Sequence, residues 1–190
     1  MQKHDIVPDR IITIENFLSP QECEAYIRRS EEAGYEQASI TTRIGQIMRP
    51  DIRNNSRVIM DDPSISEAFW DKVRPFVPSP LFGREAIGLN ERWRFYQYEP
   101  GQQFKMHQDG SFKRDNGEKS QFTFMIYLNE GAEGGETRFR LNASPEIVTV
   151  VPRVGMALLF LHTLMHEGAP VRSGKKYVLR SDVMYSAESK

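Results

Sequence analysis

A histidine and an aspartate stand two positions apart in the segment FKMHQDG, as His107 and Asp109. Residues i and i+2 of a β-strand point to the same side, so both side chains can reach one point if the strand ends at Gly110. A second histidine, His166, stands 59 positions later (166 − 107), at the start of HEGAPV. Two imidazoles and one carboxylate on one face of a metal form the ligand set that holds non-haem Fe(II). The spacing therefore predicts an iron site built from these three residues.

The spacing of His162 and His166 permits a second interpretation. On a helix, histidines at i and i+4 bind zinc in metalloproteases, where a glutamate follows the first histidine and acts as the base. Here the segment reads HTLMH, and Thr163 occupies the place of that glutamate. We therefore expect His162 to be a histidine at a strand end or in the core. His4 is expected to be solvated in an N-terminal tail.

Two helices are predicted before the metal-ligand segment. The motif SPQE, which begins at Ser19, is a capping box that starts the first helix, and Gly34 supplies a left-handed stop. The second helix is predicted to begin near the motif DPS, at Asp62, and to end before Pro75. The residues expected on its buried face are Ile65, Ala68, Phe69, Trp70 and Val73.

The segment between these helices, TTRIGQIMRPDIRNNSRVIM, mixes β-branched residues with four arginines. Because β-branched residues favour strands, we predict paired strands around a loop. Two roles stay open for this segment: a solvated hairpin, or a rim that contacts a substrate. The candidate residues for the rim are Asn54, Asn55 and Arg57.

The C-terminal half has the pattern of short strands separated by turns. RWRFYQYEPGQQFKMH is aromatic and extended, QFTFMIYLN is a nine-residue strand candidate, and EIVTVVP, MALLFL and KKYVLRSDVMY follow. EPGQ suits a type II turn, GGET predicts a tight loop, and Ser173-Gly174 predicts a hairpin that returns Lys176 beside His166. This pattern predicts a jelly-roll or sandwich, since a parallel sheet would need helices between its strands.

A polar segment, SFKRDNGEKS, directly follows the first two predicted ligands and spans residues 111–120. Functional loops are often carried on rigid scaffolds in this way. Two alternatives stay open for it: a mobile lid, or an ordinary solvated loop.

The composition limits the partners and the setting. The chain has 190 residues, enough for one domain with its own core. Its 25 lysines and arginines nearly balance 26 acids, and the formal net charge of −1 argues against nucleic-acid or membrane partners. No apolar run approaches the roughly 18 residues of a membrane-spanning helix. The lone cysteine, Cys23, and a start without a signal-peptide core predict a soluble, cytoplasmic protein. The oligomeric state stays open.

These motifs, in this order, resemble the 2-oxoglutarate- and Fe(II)-dependent dioxygenases, in the prolyl 4-hydroxylase-like branch. The resemblance covers residues 93–185 and rests on YEPGQQFKMHQDG, TFMIYLNEGAEGGETRF, PRVGMALLF and HEGAPVRSGKKYVLRSDVMY. The fold that it implies is mainly β with supporting N-terminal helices, a double-stranded β-helix of the jelly-roll, cupin-like type. We predict a single dioxygenase domain over residues 1–190, with helical and β support in 1–90 and the catalytic β-helix core in 91–186.

The resemblance also implies roles for individual residues. It makes His107, Asp109 and His166 the catalytic iron ligands. Lys176 matches the basic residue that holds the distal carboxylate of 2-oxoglutarate, and Arg180, four positions on, is the alternative. A carboxylate inside a barrel needs such a cationic partner. The other residues predicted to line the co-substrate pocket are Tyr98, Tyr127 and Thr123, and those predicted to contact substrate are Arg94 and Arg57.

The implied cofactors are Fe(II), 2-oxoglutarate and O2, with ascorbate as a candidate reductant. By resemblance, 2-oxoglutarate is decarboxylated to succinate while an unactivated C–H bond is hydroxylated; related halogenases lack the carboxylate that Asp109 supplies. The predicted substrate is a prolyl or other residue of a peptide or protein. The alternatives are a free amino acid or small metabolite, and a non-catalytic metal-binding cupin-like barrel, which has no need of Lys176. A nucleic-acid demethylase is disfavoured because its two-arginine signature is absent.

Overall fold

The computed structural model describes residues 1–42, 45–141 and 146–188. These residues form two α-helices, α1 (Pro20–Ala33) and α2 (Pro63–Val73), a 3-10 helix (Arg74–Phe76) and seventeen strands. The strands of the first half are β1 (Gln2–Val7), β2 (Ile11–Glu15), β3 (Glu36–Gln37), β4 (Ile40–Thr42), β5 (Gly45–Ile47), β6 (Ser56–Asp61), β7 (Ala86–Leu89), β8 (Arg92–Tyr98) and β9 (Phe104–His107). The strands of the second half are β10 (Lys119–Tyr127), β11 (Glu133–Gly134), β12 (Thr137–Arg140), β13 (Ile147–Val150), β14 (Ala157–Leu161), β15 (Met165–Gly168), β16 (Val171–Ser173) and β17 (Lys176–Tyr185).

Two antiparallel sheets carry the architecture. The larger has the order β1-β2-β14-β10-β17-β8-β6-β3, with β7 also paired to β17, and the smaller has the order β13-β12-β15-β9. Most neighbours within each sheet are distant in the chain, so connections cross repeatedly between the two layers, as in a jelly-roll. Short pairs, β4 with β5 and β11 with β16, complete the described strands. The predicted mainly β jelly-roll class is confirmed.

The central strands of the larger sheet are buried on both faces. Along β8, Trp93 and Phe95 point towards the helices, whereas Tyr96 and Tyr98 line a cavity on the opposite side. This alternation follows from the period-two geometry of a strand. The smaller sheet lies across that cavity, and its His166 is a lining residue. Residues from both sheets therefore meet in one enclosed space.

Both helices begin and end as the sequence predicts. Ser19 and Glu22 form the capping box of α1, Gly34 ends it with φ +81°, and Asp62 caps α2 through the backbone amide of Ile65. The buried face of α2 differs from the prediction at two positions, because Ala68 is exposed and Ser66 is buried. The hydroxyl of Ser66 accepts a hydrogen bond from the Trp93 indole, so a polar residue occupies the seam between helix and sheet.

Aromatic side chains join the helices to the larger sheet. Phe69 of α2 packs edge-to-face against Phe17 and against Trp93, with ring centroids 5.5 and 5.4 Å apart. Phe17 packs in turn against Phe124 of β10, at 5.4 Å. Edge-to-face pairs of this kind contribute about 0.5–1.5 kcal/mol to stability, in addition to the free energy gained from burying their surface. The helices therefore brace the sheet that carries the cavity.

Two local predictions were wrong. His4 lies in β1, opposite Thr13 of β2, and not in a solvated tail. The strands on either side of Gly174 do not form a hairpin, because β16 pairs with β11 whereas β17 pairs with β8 and β10. Lys176 therefore reaches the cavity from the larger sheet, opposite Tyr98. The N-terminal segment also contributes strands to the sheet of the core, since β2 pairs with β14 and β6 pairs with β8.

The arginine-rich segment forms paired strands, as predicted. Ile40 lies opposite Ile47 in the β4–β5 pair, and β6 continues into the larger sheet. Positions 43 and 44, where the turn was expected, lie outside the described residues. Neither α-helix, in the part of the chain that the structure describes, has the length and apolar character needed to cross a membrane.

Candidate metal and co-substrate site

Strand pairing brings together the two histidines predicted as ligands. His107 is the last residue of β9, and His166 lies directly opposite it in β15. The chain leaves the strand after His107, and the Asp109 amide donates to the carbonyl of His162, 3.1 Å away. This bond holds Asp109 beside both imidazoles. In the described residues, His107, Asp109 and His166 offer ligand atoms that all lie within 4.8 Å of one another.

The orientation of both imidazoles suits metal binding. His107 Nδ1 lies 2.7 Å from the carbonyl of Lys105, and His166 Nδ1 lies 2.9 Å from the carbonyl of Leu164. A ring nitrogen that donates to a carbonyl fixes the tautomer and leaves Nε2 with a lone pair for a metal. The two Nε2 atoms lie 3.7 and 3.6 Å from the oxygens of Asp109. Phe104 stacks on His107 at a centroid distance of 3.5 Å and limits its rotation.

The protonation states also suit a cation. Burial lowers the pKa of His166 to about 4, so its imidazole is neutral at physiological pH. Burial alone would raise the pKa of Asp109, but the Arg180 guanidinium together with His166 and His107 outweighs it and holds that pKa well below its usual range. Nη2 of Arg180 lies 3.0 Å from Oδ1 of Asp109. Two imidazoles and one carboxylate are ligands that suit Fe(II), and they leave coordination positions open. The residues present fit ferrous iron.

A second layer of side chains supports Asp109. The hydroxyl of Thr123 donates to Asp109 Oδ2 and lies 3.1 Å from His162 Nδ1. His162 Nε2 lies 2.9 Å from the hydroxyl of Ser120, so the ring is held at both nitrogens. His162 is buried, as predicted. Its contacts indicate a positioning role in addition to packing, because His162 orients Thr123, and Thr123 orients the carboxylate of Asp109.

Replacing Thr123 with valine is expected to weaken Fe(II) binding about 10- to 100-fold, the usual cost of losing a partner of a metal ligand. Valine keeps the shape of the side chain but cannot donate to Asp109. Calorimetric titration of the protein with Fe(II), without O2, measures the change in affinity. Thr13→Val, at a buried threonine of β2 in the same sheet, is the control. Equal Fe(II) affinity in the Thr123→Val variant and the unmodified protein would show that the hydroxyl does not position Asp109.

The three candidate ligands open into a cavity between the sheets. The residues that line it are Tyr96, Tyr98, Phe104, His107, Asp109, Thr123, Met125, Thr137, Phe160, His166, Gly168, Lys176, Val178 and Arg180. Of the predicted co-substrate residues, Tyr127 stands just behind this lining, and its hydroxyl bonds to that of Thr137 at 2.7 Å. The structure thus gathers all the predicted co-substrate residues at one cavity.

The two cations of β17 have different surroundings. Lys176 is 3% exposed, and its ammonium donates to the carbonyl of Gly135 at 2.6 Å. It lies 5.1 and 5.4 Å from the ring centroids of Tyr98 and Tyr127. No carboxylate lies within ion-pairing distance of it among the described residues, and burial lowers its pKa to about 7. Arg180, by contrast, is already paired with carboxylates.

The predicted substrate residues Arg94 and Arg57 do not line this cavity. Arg94 pairs with Asp182 at 3.2 Å, and Arg57 donates to the hydroxyl of Ser39 at 2.9 Å. Residues 111–120 are held by several contacts, including an ion pair of 2.7 Å between Arg114 and Glu91. Those contacts favour an ordered loop, and a lid motion stays a prediction.

The sequence interpretation overlooked several residues of the cavity. Tyr96 and Met125 could have been found, because they share strand parity with Tyr98 and Thr123. Arg53 could not have been found from the sequence, since it lies before β6 and is linked to the site by a single β-bridge to Phe104. Its guanidinium lies 4.6 and 4.5 Å from the ring centroids of Tyr96 and Phe104.

The sequence model of the 2OG-Fe(II) oxygenase superfamily matches residues 93–181, from β8 into β17. The match spans the candidate ligands, both cations and the strands that position them. The chain is thus similar to the 2OG-Fe(II) oxygenase superfamily over the part that carries the candidate site. This match and the His-Asp-His cluster support the cofactor set of Fe(II), 2-oxoglutarate and O2, in agreement with the sequence prediction.

The relatives and solved structures that this chain resembles include prolyl 4-hydroxylases. It is 27% identical over 194 residues to Prolyl 4-hydroxylase 1 of Arabidopsis thaliana, a match that covers 88% of this chain and 66% of the relative. The chain thus spans about two thirds of the length of that relative. Among solved structures, it resembles a Pseudomonas putida prolyl-4-hydroxylase, with 21% identity, a TM-score of 0.68 and coverage of 94% and 95% of the two chains. It also resembles a prolyl hydroxylase from Trichoplax adhaerens in complex with a hypoxia inducible factor peptide, with 16% identity, a TM-score of 0.74 and coverage of 94% and 85%.

Proposed function

We propose that this protein is a 2-oxoglutarate- and Fe(II)-dependent hydroxylase of a prolyl residue in a peptide or protein. The observation that carries the proposal is the presence, in one cavity, of a His-Asp-His cluster and of a buried Lys176 that has no carboxylate within ion-pairing distance among the described residues. A metal-binding barrel without activity has no reason to bury a lysine at that position, because burial destabilises the charged ammonium. The prolyl 4-hydroxylase relative and the peptide-bound structural neighbour support the choice of substrate class.

In this proposal, His107, Asp109 and His166 hold the metal. When bound, Fe(II) supplies the oxidising chemistry that couples decarboxylation of 2-oxoglutarate to C–H hydroxylation. Lys176 provides the counter-charge for the distal carboxylate of the co-substrate, through a charge-assisted hydrogen bond. Arg180 cannot serve both this carboxylate and Asp109, and its 3.0 Å contact with Asp109 favours the second role.

The tyrosines and threonines of the cavity orient the co-substrate and exclude water. Burial raises the pKa of Tyr98 to about 12, so its hydroxyl keeps its proton and can donate a hydrogen bond. Tyr127 and Thr137 hold each other's hydroxyls in place behind Lys176. Apolar side chains from both sheets, including Phe160 and Val178, complete the wall. A cavity of this kind limits the access of water to the reacting groups.

The proposal is tested by measuring succinate and substrate oxidation together. Purified protein supplied with Fe(II), 2-oxoglutarate and O2 should form succinate, and leaving out any one of the three should stop it. Proline-containing peptides should gain one oxygen on the proline ring, located by fragmentation in a mass spectrometer. Succinate formation that continues without Fe(II) would refute the enzymatic assignment. An oxygen gained at another residue, or by a free amino acid alone, would refute the prolyl assignment.

The affinity for 2-oxoglutarate is expected to fall as pH rises above about 7. Burial lowers the pKa of free Lys176 to about 7, and a bound carboxylate favours the protonated form. Below pH 7 the ammonium is charged before and after binding, so the affinity does not depend on it. Above pH 7 binding must take up a proton, and the affinity falls by up to about tenfold per pH unit. Calorimetric titration with Fe(II) and without O2, from pH 6 to 9, measures the profile; an affinity that rises with pH would contradict it.

We also propose a reducing, cytoplasmic setting. Cys23 is a free, buried thiol among the described residues, and burial raises its pKa to about 11. A thiol in this environment is protonated and unreactive. Fractionation of the native cell with detection of the protein in the soluble fraction tests the setting, and its recovery outside the cytoplasm would refute it.

A further inference from the structure

Four arginines surround Tyr96 at one side of the cavity: Arg53, Arg57, Arg94 and Arg180. The strand register places three of them, because Arg57 of β6 lies opposite Tyr96 in β8, and Arg94 of β8 lies opposite Arg180 of β17. Burial raises the pKa of Tyr96, but Arg180, Arg53 and Arg94 outweigh it and bring that pKa to about 8. This lowering of the Tyr96 pKa indicates a positive electrostatic potential at its hydroxyl.

Arg53 is the least satisfied member of this arginine cluster. It is 4% exposed, and its Nε donates to the side-chain carbonyl of Asn55 at 2.7 Å. Its Nη2 is buried without a hydrogen-bond partner among the described residues. A buried donor without an acceptor destabilises the fold, so an acceptor supplied by a ligand would bind favourably. The guanidinium lies over the rings of Tyr96 and Phe104, which both line the cavity.

The charges of the cluster are not balanced within the described residues. Arg94 and Arg180 contact Asp182, and Arg180 also contacts Asp109. Neither Arg53 nor Arg57 has a carboxylate within ion-pairing distance in that part of the chain; the nearest polar contact of Arg57 is Ser39. Burial and the positive charges of Arg53 and Arg94 lower the pKa of Arg57. Two like charges thus stand together without a counter-charge, beside the candidate metal site.

We propose that Arg53 and Arg57 bind a carboxylate of the substrate, next to the residue that is hydroxylated. This inference rests on the proposed function and specifies its substrate class as an anionic peptide. A guanidinium matches the planar geometry of a carboxylate and binds it through paired N–H donors. A peptide offers such a group either as an acidic side chain or as its own C-terminus. An unbalanced positive cluster also favours anionic over neutral partners during association.

The test measures peptide binding to the protein loaded with Fe(II) and 2-oxoglutarate without O2, so that no turnover occurs. Three tripeptides with a central proline serve as probes: a capped peptide that begins with glutamate, a capped peptide that begins with glutamine, and a peptide that begins with glutamine and keeps a free C-terminal carboxylate. Calorimetry should show at least about tenfold tighter binding of one carboxylate peptide than of the neutral peptide, as a charge-assisted hydrogen bond predicts. Whichever of the two carboxylate peptides binds more tightly identifies the source of the carboxylate, an acidic side chain or the C-terminus.

Substitutions assign the preference to the cluster. In Arg53→Gln, the affinity for the tighter carboxylate peptide should lie within about twofold of the affinity for the neutral peptide. In the less buried Arg57→Gln variant, the ratio of these two affinities should also fall. Arg28→Gln, at an exposed arginine of α1 that pairs with Glu24, removes the same charge elsewhere and should keep the ratio. Thermal melting confirms that each variant is folded; if Arg53→Gln is not, Arg57→Gln decides.

Equal binding of all three peptides, absence of binding by all three, or a preference that survives both cluster substitutions would overturn the inference. The proposed function fails separately, if the unmodified protein forms no succinate from 2-oxoglutarate. Succinate formation together with charge-independent peptide binding would leave the proposed function standing and remove this inference alone.

Discussion

The Asp109→Ala variant is expected to form no more succinate than the unmodified protein does without added Fe(II). Asp109 is the carboxylate of the His-Asp-His cluster, so its loss removes the anionic ligand and leaves two imidazoles. Changes to the partners of metal ligands cost about 10- to 100-fold, so the loss of a ligand should exceed about 100-fold. Succinate is measured by mass spectrometry with saturating Fe(II) and 2-oxoglutarate.

Removing Asp109 also affects Arg180, whose remaining carboxylate partner among the described residues is Asp182 at 3.3 Å. A buried cation that loses a partner destabilises the fold, so inactivity could reflect unfolding. The Asp109→Asn variant separates the two causes, because asparagine keeps the shape of the side chain but not its charge. Asp71→Ala, at an exposed aspartate of α2, is the control for activity. Turnover in a folded Asp109→Asn variant within about tenfold of the unmodified protein would show that the carboxylate is not a required ligand.

The sequence was most informative about side chains within a single strand, because every second residue of a strand lies on the same face. On β8, Tyr98 lines the cavity as predicted, and Tyr96, two positions before it, shares that face. Lys176 and Arg180 of β17 satisfy the same rule. Local chemistry also predicted both helix starts correctly, since caps are decided within four residues.

Features that depend on pairing between distant strands were not accessible from the sequence. The hairpin expected at Gly174 failed because β16 and β17 join different layers, and no local signal distinguishes such a crossing from a hairpin. His162 had an ordinary sequence context, yet β14 pairing with β10 brings it to Thr123. Arg53 likewise gains its position from contacts with β8 and β9. The clustering of the three candidate ligands was predictable because two of them share one strand end, whereas the residues that support them come from four separate segments.

The Lys176→Met variant is expected to lose 2-oxoglutarate binding and to gain stability. Methionine fills a similar volume without a charge, so the distal carboxylate would lose its charge-assisted hydrogen bond, and the affinity should fall about 10- to 100-fold. The apoprotein should gain about 2 kcal/mol in its free energy of unfolding, or roughly 5 °C in melting temperature. The gain follows from the buried ammonium, whose pKa of about 7 lies below its ordinary 10.5.

The pH dependence of that gain identifies its cause. Because the folded-state pKa is depressed, the unfolded chain binds more protons between about pH 7 and 10.5, and the unmodified protein becomes more stable as pH rises through this range. The advantage of Lys176→Met should therefore be largest at pH 7 and below, and should shrink towards pH 10. Melting temperatures at pH 7 and pH 10 measure the difference.

Lys175→Met is the matched control, because this neighbouring lysine is exposed and pairs with Glu99 at 2.9 Å. It should change neither the affinity for 2-oxoglutarate nor the difference in stability between the two pH values. Arg180→Met decides between the two cations of β17. A greater loss of 2-oxoglutarate affinity in Arg180→Met than in Lys176→Met, with Fe(II) binding intact in both, would move the anchor to Arg180. Lys176 would then be a buried cation without a function, and its cost to stability would have no compensating role in catalysis.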